Sequence, residues 1–232
     1  MMTREEYARR RQAGTLVEEN SPARQEFRQL CAGCRRPMAV CLCDQLERFE
    51  CGINVGIALH PKEFKKTVNT SGIALRAIEG SSMFRANGRD LDRNDKFLNW
   101  LKTPGLTPML MFPGPNARDI SSVLPSEFEG GKKPGLLFID GTWAQARKML
   151  RESDLLRSIP QVMFSPGDAG SRYKIRKQPG AVCVCTVEAI YAALERLADT
   201  GVAQMPAHRP QDKMLSALDR LVDRQFAFAG TE

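Results

Sequence analysis

The sequence predicts an α/β protein with a mostly parallel sheet, helices on both faces of that sheet, and a small cysteine-rich segment near the start of the chain. Short apolar runs alternate with segments whose apolar residues recur at helical spacing, as in strand–helix–strand folds. The central run, residues 136–139, is apolar at every position, which is typical of a strand buried on both faces. The 232 residues, 42% of them hydrophobic, are enough for one sizeable core.

Each predicted element rests on its local pattern. The predicted strands are short apolar runs that end at a polar residue or a proline, and they cover residues 53–59, 108–112, 136–139, 161–164 and 181–185. The predicted helices carry apolar residues three and four positions apart, and they cover residues 73–78, 92–101, 142–159, 186–197 and 212–226. Cys183 and Cys185 lie inside an apolar run, so we interpret both as core residues.

The composition favours an anionic partner. The formal net charge is +7, and nucleic acid is the first candidate because basic side chains displace counterions from phosphates. No apolar run approaches the ~20 residues needed to cross a bilayer. Residues 1–12 are charged and lack the apolar segment of a secretory signal. We therefore expect a cytoplasmic protein that does not bind membranes.

One short segment contains four cysteines: Cys31, Cys34, Cys41 and Cys43. The first pair puts two thiolates on a tight turn, and the second puts two more on one side of an extended segment, because side chains alternate along it. In a cytosolic chain such a cluster is more often a metal site than a disulfide framework. Four thiolates suit tetrahedral Zn²⁺ in a structural role, since they leave no open position for water. Arg35 and Arg36, between the pairs, are candidate RNA contacts.

Three predicted strands end in loops of small or polar residues. In open α/β sheets ligands bind outside the carboxyl ends of the strands, so these loops would form one pocket. Asp140 follows the central strand and is the candidate for chemistry; the alternative that Asp140 or Thr142 only caps the next helix stays open. No Gly-x-Gly-x-x-Gly or Walker sequence occurs. The loop residues are Phe112, Pro113 and Gly114, then Asp140, Gly141, Thr142 and Trp143, and finally Cys185, Thr186 and Glu188.

Other polar residues near these loops leave alternatives open. Glu188 is expected in the first turn of a helix, where the helix dipole favours a carboxylate; a bound cation is the alternative. Residues 171–177 alternate basic with apolar side chains, which predicts either a phosphate-binding strip or an exposed edge strand. His60 follows a predicted strand beside a lysine-rich loop, where phosphate contact or proton transfer is conceivable. With two histidines in the chain, a histidine-based triad is not expected.

The chain resembles the DTW-domain family of tRNA-uridine aminocarboxypropyltransferases. Its motifs occur in one order along almost the whole chain. One departure is Cys185, which stands where a serine is expected; a thiol can replace a small hydroxyl in packing. The matching motifs are the Cys-x-x-Cys and Cys-x-Cys pairs, His60-Pro61 through Asn69-Thr70, Phe112-Pro-Gly-x-Asn116-Ala117, Asp140-Gly-Thr142-Trp143 and Thr186-Val-Glu188-Ala189.

The resemblance implies a SPOUT-like fold whose C-terminal part forms a trefoil knot. It divides the chain into an N-terminal arm with the zinc-binding segment, residues 1–50, and a catalytic domain, residues 51–232. It also implies S-adenosylmethionine as co-substrate, held by the three loops, with Arg172 pairing with its carboxylate. The implied activity transfers the 3-amino-3-carboxypropyl group to N3 of a tRNA uridine and releases methylthioadenosine. Because N3 is protonated at neutral pH, Asp140 is the candidate general base.

The implied partner is tRNA, and we expect a monomer or a homodimer. Two rival interpretations remain: an RNA methyltransferase of the same fold that uses the same donor, and a non-enzymatic zinc-containing RNA-binding protein. A cationic surface would follow the RNA backbone. The residues expected to contact RNA are Arg35, Arg36, His60, Lys65, Lys66, Asn69, Lys174 and Arg176.

Overall fold

The central sheet is parallel in every pair of neighbouring strands. The computed structural model describes residues 29–34, 36–64, 66, 69–164, 171–173 and 184–229. The strands of this part are β1 (Asn54–Leu59), β2 (Ser82–Arg85), β3 (Leu106–Met111), β4 (Arg118–Asp119), β5 (Lys133–Asp140) and β6 (Gln161–Met163). They form one sheet in the order β2-β1-β5-β3-β6-β4.

Helices cover both faces of this sheet, which confirms the predicted α/β class. They are α1 (Pro61–Phe64), α2 (Ser71–Ala77), α3 (Gly88–Leu91), α4 (Asp95–Leu101), α5 (Trp143–Glu152), α6 (Asp154–Ser158), α7 (Thr186–Asp199) and α8 (Asp212–Ala229). Short 3₁₀ helices occupy Met38–Val40, Cys43–Gln45, Ile120–Ser122 and Pro125–Phe128. Among the described residues, no helix combines the length and the apolar character needed to span a bilayer.

β5 lies between β1 and β3 and separates two apolar clusters. Leu59 pairs with Asp140 and Ile57 pairs with Phe138, so these side chains share one face of the sheet. That face is covered by α2, α7 and α8, whose apolar residues form one cluster with those of the strands. Leu137 points to the opposite face, which is covered by α4 and α5. Asp140 therefore ends the central strand on the side of α2, α7 and α8.

Two predicted elements have different boundaries, each for a local reason. The helix predicted over residues 142–159 is broken at Ser153, whose hydroxyl accepts a hydrogen bond from the Leu156 N–H and begins α6. The strand predicted over residues 181–185 is wrong in its last two residues, because Cys185 is already the N-cap residue of α7. Residues 181–183 lie outside the described part. The short strand β2 is missing from the sequence prediction.

The predicted trefoil knot stays a prediction. Residues 165–170 and 174–183, between β6 and α7, lie outside the described part of the chain. The division into residues 1–50 and residues 51–232 also stays a prediction.

We expect Gly88→Ala to destabilise the protein, because α3 and α5 approach each other closely at this residue. A methyl group on Gly88 would lie 2.6 Å from Glu152 Cβ and 2.8 Å from the Met149 carbonyl oxygen. Forced overpacking of this kind costs about 1–3 kcal/mol. Urea unfolding should show this loss of free energy. Gly72→Ala is the control, since a Cβ there meets nothing within 4 Å, and alanine should stabilise α2 by about 0.4–1 kcal/mol.

Candidate active site

An apolar cavity of about 390 Å³ opens where β3 and β5 end and α7 begins. Its size lies in the range of small-molecule sites. The rings of Phe112 and Trp143 meet edge to face in its wall, with centroids 6.0 Å apart. Residues from all three predicted loops contribute to the lining: Phe112, Pro113, Gly141, Trp143 and Thr186. We call this space the donor cavity.

Asp140 is buried beside the donor cavity, with 8% of its surface exposed. The Thr186 hydroxyl donates a hydrogen bond to Asp140 Oδ1 at 2.9 Å, and Asn69 Nδ2 donates to Asp140 Oδ2 at 3.2 Å. Thr186 lines the cavity, so the carboxylate is one side chain away from it. The structure thus brings Asp140 together with the Thr186 loop, which is 46 residues away along the chain.

The capping alternative applies to Thr142 and not to Asp140. The Thr142 hydroxyl accepts from the Gln145 N–H at 3.3 Å, and Gln145 Oε1 accepts from the Thr142 N–H at 2.7 Å. This reciprocal pair begins α5 and satisfies two backbone donors. The Asp140 side chain makes its hydrogen bonds with Thr186 and Asn69 instead, so its carboxylate does not cap α5.

Burial raises the pKa of the Asp140 carboxyl above its ordinary value. The Ser71 and Thr186 hydroxyls and the Asn69 amide act in the opposite direction, since they stabilise the charged form, and the nearby Glu63 carboxylate raises the pKa further. The net direction is upward. A carboxylate with a raised pKa is a stronger base, as general-base chemistry near neutral pH requires.

Asn69 is held so that its amide nitrogen faces Asp140. Its Oδ1 accepts from the Ser71 hydroxyl at 2.5 Å and from the Gly72 N–H at 3.2 Å. Both partners are donors, so the remaining amide group, Nδ2, points to the carboxylate. The sequence predicts Asn69 as an RNA contact. Its role beside Asp140 comes from a contact across 71 residues, which no local pattern indicates.

The four cysteines of the N-terminal segment meet in space. The four sulfur atoms of Cys31, Cys34, Cys41 and Cys43 all lie within 4.8 Å of one another. Two of the sulfur–sulfur distances are 3.8 Å and 3.7 Å. A tetrahedron with Zn–S bonds of about 2.3 Å has edges of about 3.8 Å. Hydrogen bonds from the Cys34 backbone, with smaller contributions from Cys41 and Gly33, lower the pKa of the Cys31 thiol to about 6, whereas burial raises the pKa of the Cys41 and Cys43 thiols. The cluster therefore fits a tetrahedral metal ion.

Arg36 connects this cluster to the Asp140 site. Arg36 is 7% exposed, and its guanidinium donates from Nη2 to the Asn69 carbonyl oxygen at 2.5 Å. Burial lowers the pKa of Arg36, whereas the nearby sulfurs, those of Cys34 and Cys43 foremost, favour its charged form. The sequence predicts Arg36 as a surface contact for RNA, but the structure buries most of it. Arg35 lies outside the described residues.

Glu188 fixes the chain at the start of α7. Its carboxylate accepts from the Cys185 N–H at 2.7 Å, from the Ser171 hydroxyl at 2.5 Å and from the Arg172 N–H at 2.5 Å. Its partners are thus protein donors, as the N-terminal position in a helix favours. The Arg172 guanidinium forms an ion pair with Asp219 on α8 at 2.9 Å, and it is not among the residues that line the donor cavity. Burial raises the pKa of the Cys185 thiol.

Of the remaining predicted RNA contacts, His60 and Lys66 line different cavities. His60 lies in a polar cavity that also contains Lys62, Arg89 and Lys148, and burial lowers its pKa. Lys66 forms an ion pair with Glu63 at 2.5 Å. Besides Arg35, three more of the predicted contacts lie outside the described part of the chain: Lys65, Lys174 and Arg176.

The fold and the site define a class: a parallel α/β protein with a small-molecule cavity and a buried carboxylate at the carboxyl edge of its sheet. A four-cysteine segment suited to a metal ion is joined to this edge. The chain belongs to the DTW domain family, whose model matches residues 28–226. This confirms the family resemblance inferred from the sequence.

Three relatives have names that describe an activity. A Macaca fascicularis protein, tRNA-uridine aminocarboxypropyltransferase 2, is 28% identical over 80% of this chain and 62% of its own length. Its Mus musculus counterpart is 27% identical over 82% of this chain and 64% of its own. The Arabidopsis thaliana tRNA-uridine aminocarboxypropyltransferase A is 26% identical over 84% of this chain and 80% of its own. The chain thus spans less than two thirds of the two mammalian relatives. No solved structure matches it at a significant level.

Proposed function

We propose that this protein modifies tRNA by transferring the 3-amino-3-carboxypropyl group of S-adenosylmethionine to N3 of a uridine. The observation that carries the proposal is the position of Asp140. Its carboxylate is buried and accepts a hydrogen bond from Thr186, which lines the apolar donor cavity. The names of the relatives support the reaction class. The family membership supports a SPOUT-like fold with a C-terminal trefoil knot.

The donor cavity fits the proposed co-substrate in size and chemistry. Phe112 and Trp143 offer apolar ring surfaces to an adenine and to the carbon chain, and the start of α7 adds the Thr186 hydroxyl. When bound, S-adenosylmethionine supplies a γ-carbon activated by the sulfonium, and methylthioadenosine leaves. Since Arg172 is paired with Asp219, contact between Arg172 and the donor carboxylate would require exchange of that ion pair.

Asp140 would act as the general base. The N3 of uridine carries a proton at neutral pH, and a carboxylate within hydrogen-bond reach can accept it. The Thr186 hydroxyl and the Asn69 amide fix the two carboxylate oxygens, so the acceptor atom is held in place before the substrate binds. Burial keeps water from competing for the same atom.

The four-cysteine segment would bind Zn²⁺ in a structural role. Its four thiolates complete a tetrahedral shell, so no position remains for substrate. The net charge of +7 favours tRNA binding through phosphate contacts.

Mass spectrometry of nucleosides tests the proposal. Unmodified tRNA is incubated with the purified protein and S-adenosylmethionine, then digested. We expect a uridine heavier by one aminocarboxypropyl group, together with methylthioadenosine in equal amount. A methylated nucleoside with S-adenosylhomocysteine would contradict the proposal in favour of a methyltransferase, and an unchanged nucleoside profile would contradict both.

We expect Thr186→Val to move the acid limb of the pH–rate profile to higher pH. The variant keeps the shape of the side chain but removes the hydrogen bond that stabilises the charged Asp140 carboxylate, so the already raised pKa of Asp140 increases further. At a pH well above the limb the rate should change little. Initial rates measured across the acid range check this, and an unshifted limb would contradict it. Calorimetry with S-adenosylmethionine controls for lost donor binding.

A further inference from the structure

A second cavity, of about 480 Å³, borders the Asp140 site. Asn69, which donates to Asp140 Oδ2, lines this cavity, whereas Thr186, which donates to Asp140 Oδ1, lines the donor cavity. The two oxygens of one carboxylate thus accept hydrogen bonds from residues that line two different cavities. We call the second space the Asn69 cavity.

The Asn69 cavity lies on the same face of the sheet as the Asp140 side chain. Leu59 lines it and stands in register with Asp140. Met83 also lines it and pairs with Ile57, which shares that face. The polar cavity around His60 is formed by α3 and α5, which cover the opposite face. The Asn69 cavity and the Asp140 side chain therefore lie on one side of the sheet, and Asn69 contacts both.

The lining of the Asn69 cavity suits a nucleobase with its phosphate. Leu59, Leu75 and Met83 provide apolar surface, and Phe64, 44% exposed, provides an aromatic ring. The Arg85 guanidinium lies 4.4 Å from the centroid of that ring. Unstacked bases in RNA are commonly held against aromatic rings and guanidinium planes.

Cationic groups stand at the same cavity. Arg36, Lys66 and Arg76 are among its lining residues. Among the described residues Arg76 forms no ion pair with a carboxylate, and its guanidinium lies beside Gly33 of the four-cysteine segment. The His60 cavity has cations as well, but Asp90 and Glu152 line it too, and its described lining contains no Phe, Tyr or Trp. A flat, uncharged base fits the Asn69 cavity better.

We propose that the Asn69 cavity receives the acceptor nucleotide, an unpaired uridine. Its base would pack between Phe64 and the apolar lining residues, and its phosphate would contact Arg76. The inference rests on the proposed function for the identity of the base. Asp140 then stands between donor and acceptor, with each oxygen oriented by a residue from one of the two cavities. The four-cysteine segment, which contributes Cys34 and Arg36 to the lining, forms one wall of the acceptor site.

Photo-cross-linking locates the base without requiring transfer. The probe is a short single-stranded oligoadenylate that carries one 4-thiouridine, and the cross-linked peptides are identified by mass spectrometry. We expect cross-links to the peptides that contain Phe64 or Met83. Cross-links confined to the peptides of Arg89 or Lys148 would overturn the inference. Transfer to tRNA would in that case still support the proposed function, whereas cross-links at Phe64 without transfer would leave a uridine site and refute the proposed reaction.

Matched variants test the site in the transfer reaction. Phe64→Ala and Arg76→Met should each raise the KM for tRNA roughly tenfold. The affinity for S-adenosylmethionine, measured by calorimetry, should stay unchanged. Arg89→Met, which removes the same charge on the opposite face of the sheet, is the control and should change the KM by less than a factor of two or so. Equal effects of Arg76→Met and Arg89→Met, with none for Phe64→Ala, would show a diffuse electrostatic surface and overturn the proposal.

Discussion

Asp140→Asn is expected to lower the rate of aminocarboxypropyl transfer by about 10²–10⁴-fold, the usual contribution of a general base. The amide keeps the size of the side chain but cannot accept the proton from N3. The donor cavity is lined by other residues, so the affinity for S-adenosylmethionine should be nearly unchanged. Single-turnover rates and calorimetry with the same preparation measure the two quantities separately.

The matched control for this variant is Asp95→Asn, on an exposed carboxylate in the first turn of α4. It should leave the transfer rate within a factor of about two, as expected for surface substitutions. If Asp140→Asn retained the wild-type rate at neutral pH, Asp140 would not be the base. A loss of donor binding equal to the loss of rate would instead give Asp140 a role in the donor site.

Cys43→Ser is expected to remove the proposed zinc ion and to lower the stability of the protein. Binding of Zn²⁺ at four-ligand sites supplies about 10–16 kcal/mol of folding free energy in small zinc-finger peptides at pH 7. Part of that free energy would be lost with one sulfur of the tetrahedron. The measured zinc content should fall below one Zn²⁺ per chain, and the midpoint of thermal unfolding should drop by several degrees or more.

Cys51→Ala is the control for the metal measurement. Cys51 is buried in the core and does not belong to the four-sulfur group, so this variant should keep its metal while losing some packing free energy. Retention of one Zn²⁺ per chain by Cys43→Ser would show that three sulfurs are sufficient. An absence of metal from the wild-type protein, purified without chelators, would contradict the structural zinc site itself.

Features set by neighbouring residues could be predicted from the sequence. The apolar run before Asp140 indicates the central strand, and the hydrophobic spacing after Thr142 indicates the helix that follows. The four cysteines are predicted as a metal site because their spacing is short enough for one loop to close around an ion. The position of the ligand cavity follows from the parallel order of the strands, since their carboxyl ends share one edge.

Features set by long-range packing could not be predicted. The hydrogen bond between Asn69 and Asp140 joins residues 71 positions apart, and the burial of Arg36 depends on a contact with the Asn69 carbonyl. From the sequence alone, a basic residue between cysteines is expected to be exposed, because the group that it contacts in the fold is not known. The break between α5 and α6 at Ser153 could not be predicted from the periodicity either, because the apolar spacing continues through it.

The hydrogen bond from Arg36 to the Asn69 carbonyl limits how the N-terminal segment can be exchanged between relatives. A chimera that carried another cysteine segment with leucine in place of this arginine would still bind its metal. Asn69 would then lose the hydrogen bond to its backbone carbonyl, which helps to keep its side-chain amide against Asp140. Grafts of this segment should therefore be designed with the arginine and the Asn69 loop transplanted as a pair.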